Sequence, residues 1–437
     1  MRYHLLVFCS IALLLFTSTD LCGQDWAQWR GDDRDGDWNE TGLVSQFDSE
    51  SLSVVWSQPL SSGYSGPTVA DGKVFVMDRI ADGDKQTERI LCFDEKTGEP
   101  AWEHEYEAAY VNVGYVAGPR ASVTIDGGSA FSIGTMGHAH CLDAATGELK
   151  WSRDLNTDYK IVESGRMPIW GIAGSPLIYE QNVILHIGGA EGACIVSLDR
   201  DTGEEVWRAL DDRSQYSSPV LTTQAGQKVL VCWTGDSVAG LNPETGESHW
   251  RHEFTPTRMP IGVATPVISN NQIFLTSFYD GAMLLEMSQD EMSVKELWHL
   301  NGTNERQTEA IQSIISTPVR IENHIYGVDS YGEFRCLDAT DGSRVWEDET
   351  AVPRSRWSTI HFVQNGDKTW MFNERGELIL GELSPDGFTE FSRAQIIEPT
   401  TEQLRQRNGV CWSHPAFANR CIFVRNDNEI KCISLEE

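Results

Sequence analysis

The chain has 437 residues, with 65 acidic against 34 basic side chains and a formal net charge of −31. An acidic surface on that scale repels phosphate backbones and excludes nucleic acid as a partner class. The length allows two or three domains, but strong internal repetition predicts one large closed domain.

Residues 1–24 carry one basic side chain, Arg2, then an apolar run from Leu5 to Phe16 and a polar stretch ending Leu21-Cys22-Gly23-Gln24. That run is too short for a stable membrane anchor and predicts a secretory signal, hence a periplasmic or secreted protein with no transmembrane helix in its mature part. Cys22 is a candidate lipid-attachment residue, although Leu21 stands where a small residue is usually needed. Residues 25–51 form an N-terminal extension opening Asp25-Trp26-Ala27-Gln28-Trp29-Arg30-Gly31, whose rings are expected to cap the barrel side in a packing role.

From residue 52 to 437 one phrase recurs. It appears as Phe93-Asp94…Thr97-Gly98…Trp102, Leu142-Asp143…Thr146-Gly147…Trp151, Leu198-Asp199…Thr202-Gly203…Trp207, Leu241-Asn242…Thr245-Gly246…Trp250 and Leu337-Asp338…Asp341-Gly342…Trp346. Each copy reads as a strand end, a tight turn whose Gly takes positive φ, and a strand bearing Trp four residues beyond that Gly. A hairpin returning every ~40 to 57 residues predicts a propeller.

A second marker precedes each hairpin: Gly66-Pro67, Gly118-Pro119, Ser175-Pro176, Ser218-Pro219, Thr265-Pro266, Thr317-Pro318, Thr359-Ile360 and His414-Pro415. Proline suits the first residue of a strand, where no ladder donor is needed, so eight markers predict an all-β, eight-bladed β-propeller of four-stranded blades. Two units depart from the pattern: one keeps Trp298 after a longer turn around Asp290-Glu291, and the next but one has Pro385-Asp386-Gly387-Phe388 and no Trp. The final unit ends one strand short, while Leu52-Ser53-Val54-Val55-Trp56 is a Trp strand with no strands before it. Pairing the two closes the ring and removes an open edge.

Cys92, Cys141, Cys336 and Cys432 share one position in the repeat and are expected to be buried small hydrophobes, while Cys411 and Cys421 are candidates for pairing across a hairpin. Asp280, Asp329 and Asp338 are conceivable calcium ligands, but the sequence around them favours hairpin turns in which Asp bonds its own backbone. His138 and His140 share a strand face, and with no third ligand in sight a packed pair is favoured over a metal site.

The residues three before the second member of each marker are Tyr64, Val116, Ala173, Tyr216, Val263, Ile315, Trp357 and Trp412, and they are expected at the funnel mouth. Arg120, beside Pro119, and Trp170, in the long loop 156–172, are placed with them. The loops arriving at this mouth, including the second long loop 397–410, concentrate scarce positive charge: Lys160 and Arg166, Arg213, Arg258, Arg306, Arg354 and Arg356, Arg405 and Arg407. Convergent cations in a concave site would receive an anionic small molecule or an acidic segment of an envelope protein.

Asp-x-x-Thr-Gly followed by Trp, recurring this often, resembles the tryptophan-docking motif of quinoprotein (PQQ) repeat propellers, and the likeness covers nearly everything after residue 52. The resemblance implies that Trp56, Trp102, Trp151, Trp207, Trp250, Trp298 and Trp346 lock each blade to its neighbour. The family holds dehydrogenases with PQQ and Ca²⁺ at the funnel mouth, and non-catalytic scaffolds such as the propeller lipoprotein of the outer-membrane assembly (Bam) complex. The chain lacks the adjacent cysteines and the Cys-x-x-Cys-His segment of the alcohol-oxidising enzymes. The resemblance therefore implies an exported, monomeric, non-catalytic scaffold without a cofactor, with a PQQ- and calcium-dependent oxidoreductase acting on alcohols or sugars as the alternative.

Overall fold

The computed structural model describes residues 23–48, 52–83 and 85–437; Cys22 and the leader before it lie outside them. Eight four-stranded antiparallel sheets follow one another in a ring. Blades 1 to 7 span 68–107, 124–154, 177–209, 220–253, 267–300, 319–348 and 360–395. Blade 8 takes Ala416–Ala418, Cys421–Arg425 and Glu429–Ser434 from the C-terminus and its outermost strand from Val54–Pro59. Trp56 lies opposite Cys432 and Pro59 opposite Glu429, so the opening strand closes the ring as its orphaned Trp pattern predicts.

In seven blades a β-bulge between the third and fourth strands lies beside the Trp, which faces Cys92, Cys141, Ser197, Gly240, Leu284, Cys336 or Cys432 across the ladder. The shared cysteine position is thus the floor under an indole, which explains its small side chains. Six of the seven indole N–H groups reach the next blade: Trp56 donates to Glu95 O at 2.7 Å, Trp102 to Ala144 O at 3.1 Å, Trp151 to Arg200 O at 2.8 Å, Trp207 to Pro243 O at 3.3 Å, Trp298 to Ala339 O at 2.9 Å and Trp346 to Ser384 O at 2.8 Å. The turn glycines lie flat on these rings; a Cβ on Gly98 would stand 2.5 Å from the Trp56 indole.

The irregular units are repaired by other residues. Blade 5 has a different turn, and Gln224 bridges the gap, accepting from Trp250 at 2.7 Å and donating to Ser293 O at 2.7 Å. In blade 7 Ser392 occupies the Trp position. There Phe47 of the extension donates its N–H to Ser392 Oγ at 3.0 Å and stacks on Trp370 at 5.8 Å.

Ladder register also relocates two strand openings. Val363 pairs with Trp370, which pairs with Leu380 beside the bulge, as Val319 pairs with Tyr326 and Tyr326 with Cys336. The blade 7 opening is therefore His361-Phe362, not Thr359-Ile360, and by the same register blade 2 opens at Ser122-Val123, not Gly118-Pro119. The opening residues around the axis are Gly66, Ser122, Ser175, Ser218, Thr265, Thr317, His361 and His414. Their hydroxyls link blade to blade: Ser122 N–H donates to Ser175 Oγ, Ser175 N–H to Ser218 Oγ and Thr265 N–H to Thr317 Oγ1, each at 3.0 Å.

The extension is a strap across the base of the ring. Trp26 pairs with Val69, Ala27 O accepts from Ile125, Trp38 N–H donates to Gln364 O and Val44 N–H to Leu435 O. Between these ties it sends Arg34 into the axis, where the guanidinium donates to Ser175 O, Pro176 O and Pro219 O. Burial, with no carboxylate beside it, lowers the Arg34 pKa to about 9.

Candidate functional site

An antiparallel meander puts the loops between blades and the second-to-third-strand turns at one end of the ring, opposite the strap. At that end lies a cavity of about 120 Å³ lined by Trp29, Tyr64, Tyr115, Arg120, Trp170, Ala173, Tyr216, Ser218, Val263, Ile314, Ile315, Trp357, Trp412 and His414. Of the residues expected at the mouth, Tyr64, Ala173, Tyr216, Val263, Ile315, Trp357 and Trp412 line it, with Arg120 and Trp170. Val116 does not, because the corrected blade 2 opening gives its slot to Arg120.

Sequence reasoning missed Tyr115, Trp29 and His414 as lining residues. Tyr115 stands edge-on to Trp170 at 5.7 Å and Trp357 at 6.0 Å. Trp29 comes from the strap, its N–H anchored on Thr265 Oγ1 at 2.8 Å, so the opening motif reaches the chamber floor as well as packing against the base. The walls are held from behind. Buried Gln403 accepts from Trp412 N–H at 2.7 Å, donates to Gly63 O at 2.8 Å, and receives the Tyr64 hydroxyl on its carbonyl at 2.9 Å. Trp170 stacks on Tyr216 at 4.8 Å.

The other basic residues form a rim outside the chamber, most of them in ion pairs. Arg166 pairs with Asp211 at 2.7 Å, Arg213 with Asp236 at 2.6 Å, Arg354 with Glu333 at 2.9 Å and also Glu349, and Arg356 with Glu305 at 2.7 Å. Lys160, Arg405 and Arg407 face Glu191, Glu402 and Glu374. Arg258 lies over the Tyr279 ring at 5.0 Å and Arg306 over Tyr331 at 5.3 Å. Seven of the nine rim cations are thus paired with carboxylates, Arg258 and Arg306 lie over rings, and Arg120 is the one cation in the lining.

His361 and His414, neighbours on blades 7 and 8, have ring centroids 4.9 Å apart. Burial lowers the His361 pKa to about 4, with a further contribution from Arg30, and burial with His361 lowers that of His414 further still. His138 and His140 belong to a packed stack between blades 1 and 2, where His140 lies 5.2 Å from His104 and 4.2 Å from Tyr106. Among the described residues no group of three His, Cys, Asp or Glu side chains is placed to hold a metal. Asp338 caps its own turn through Thr340 N–H, but Asp280 and Asp329 do not. Both are buried and brace the preceding loop, Asp280 through Thr257 N–H and Asp329 through Gln312 N–H. Cys411 and Cys421 are free thiols, Cys411 donating to Glu398 O at 3.6 Å.

PQQ and Ca²⁺, which the repeat family implies for its enzymes, can be tested against these residues. Calcium needs six to eight oxygen ligands, and the lining holds no Asp, Glu, Asn or Gln. One cation, Arg120, faces a cofactor that carries three carboxylates. The chamber residues do not fit the pair.

The fold and its repeated indole contacts define a closed eight-bladed propeller of the PQQ-repeat class. The chain belongs to the family described as outer membrane protein assembly factor BamB, whose model matches residues 38–117 and 86–348. It is 20% identical over 273 residues to the outer membrane protein assembly factor BamB of Yersinia pestis, covering 62% of this chain and 65% of that one. It is 24% identical over 221 residues to the dehydrogenase subunit of a quinone alcohol dehydrogenase from Komagataeibacter europaeus, covering 46% of this chain but 28% of the enzyme. The chain thus spans less than two thirds of the assembly factor and little over a quarter of the dehydrogenase. The crystal structure of BamB from Moraxella catarrhalis superposes with a TM-score of 0.60 at 16% identity, covering 88% of this chain and 98% of that one. A quinohemoprotein alcohol dehydrogenase from Pseudomonas putida gives 0.61 at 11% identity, covering 94% and 80%. At such identities the likeness is one of fold.

Proposed function

We propose that this protein is an exported, non-catalytic propeller that serves as a binding or assembly scaffold in the cell envelope, with the mouth chamber as its receiving site. One observation carries the reading: the chamber joins seven aromatic rings to a single cation and offers no carboxylate. Ser218 Oγ accepts the Ser175 N–H, and among the described residues no hydrogen bond joins it to His414, whose Nδ1 faces Pro415 O. Membership of the assembly-factor family supports a protein partner, and export rests on the apolar run of the leader. Among the described residues no helix is long and apolar enough to cross a membrane.

The alternative, a PQQ- and calcium-dependent oxidoreductase, is favoured by the likeness to a quinone alcohol dehydrogenase over 46% of the chain. Adding PQQ and Ca²⁺ to the purified protein separates the two. The scaffold reading expects no protein-bound quinone absorbance and no dye reduction with ethanol or glucose; stoichiometric quinone binding with turnover would overturn it.

A further inference from the structure

The chamber's chemistry narrows what it can receive, and this inference rests on the binding reading above. Its walls are ring faces and edges, and its volume of about 120 Å³ is close to that of a site that holds one benzene ring (~150 Å³). Two wall residues adopt a backbone conformation that bulky side chains rarely take: Tyr115 has φ 53° and Trp357 φ 69°. Most other non-glycine residues with positive φ are polar and suit turns; these two hold rings against the cavity in a strained backbone conformation.

Charge supplies an independent constraint. Arg120 makes no ion pair among the described residues; its guanidinium donates to Gly118 O, Thr135 Oγ1, Gly114 O and Tyr115 O, all uncharged. The nearest carboxylate behind it is Glu88, already bound by Tyr106, Tyr110 and Thr135 N–H. Arg79 lies 4.0 Å above the Tyr110 ring and donates to Val116 O and Gln86 Oε1. One cation without an ion pair therefore stands in the chamber lining of a protein of net charge −31. His414 adds a polar requirement. It is 4% exposed, its Nδ1 is turned to Pro415 O, and its buried Nε2 has no partner at the chamber wall.

We infer that the chamber binds a single-ring aromatic monoanion bearing a ring hydroxyl or N–H, with the ring among the indoles, the anionic group on the Arg120 side and the donor to His414 Nε2. Stacking and edge contacts select the ring, and one cation selects one negative charge. A tricarboxylate brings more negative charge than one cation balances, and a sugar brings none.

The test is titration of the intact protein with 4-hydroxybenzoate, benzoate, 4-hydroxybenzamide and cyclohexanecarboxylate, followed by indole fluorescence and calorimetry. The expected order places 4-hydroxybenzoate tightest, with benzoate several-fold weaker and both the neutral amide and the saturated acid at least tenfold weaker. Arg120→Gln should abolish the preference for acid over amide, and Trp412→Leu should weaken every aromatic probe. Equal binding of acid and amide, or saturable binding of none, would overturn the inference. The comparison on the unmodified protein needs no variant, so a misfolded Arg120→Gln would not rescue the idea. Failure here with no PQQ turnover removes the ligand class alone; PQQ turnover removes the scaffold reading.

Discussion

Acid should unfold this propeller by protonating its axis, and His361 gives the clearest magnitude. The imidazole is 3% exposed, its Nε2 lies 3.0 Å from Trp412 O, and burial lowers its pKa from 6.5 to about 4. Between those values the unfolded chain binds a proton that the folded protein refuses, so stability present above pH 6.5 is lost as pH falls toward 4. Integrating between pH 7 and pH 5 gives a loss of ~2 kcal/mol from this residue. His361→Gln keeps a side-chain donor for Trp412 O but cannot titrate. Urea unfolding at the two pH values should show the variant losing ~2 kcal/mol less than the parent, with the contributions of His140 and His414 remaining. Equal losses in parent and variant would refute the assignment of His361 as a buried neutral imidazole.

Gly240 lies beneath Trp250, and an added Cβ would fall inside the indole although the backbone there is unstrained. Gly240→Ala should displace that ring and cost about 1–3 kcal/mol in urea unfolding, whereas Gly72→Ala at an open turn tests only the effect of positive φ. Arg34→Met leaves three axial carbonyls without their donor while relieving a desolvated cation. A net loss of about 2–4 kcal/mol is expected, with earlier proteolysis of the strap; an unchanged midpoint would show that the strap does not brace the ring.

The blade count was legible because most blades need the same two things, a glycine that lies against an indole and a small residue under it. Ring closure was legible for a related reason: Trp56 is useless without three partner strands. Proline proved a weaker guide. It is tolerated at a strand opening but not required there, so Ser122-Val123 and His361-Phe362 went unmarked while Pro119 lay in a mouth loop. Tyr64, Tyr216 and Trp412 followed from position, whereas Trp357 was placed from a marker that the register moves by two residues and Tyr115 carried no mark. Charge balance did not follow from position, since Arg166, Arg213, Arg354 and Arg356 meet carboxylates 21 to 51 residues away or as close as five, and only the folded loops bring them together. Trp29 was unreadable as a chamber residue because nothing in its own segment shows that the strap crosses the axis.

Hydrogen–deuterium exchange with and without ligand tests the claim that the mouth chamber is the binding site. With 4-hydroxybenzoate, protection should appear in the segments bearing Tyr115, Trp357 and Trp412 and nowhere on the outer strands, while PQQ with Ca²⁺ should leave those segments unchanged. Protection of the mouth by PQQ with Ca²⁺, or ligand-induced protection confined to surfaces away from the chamber, would contradict the account.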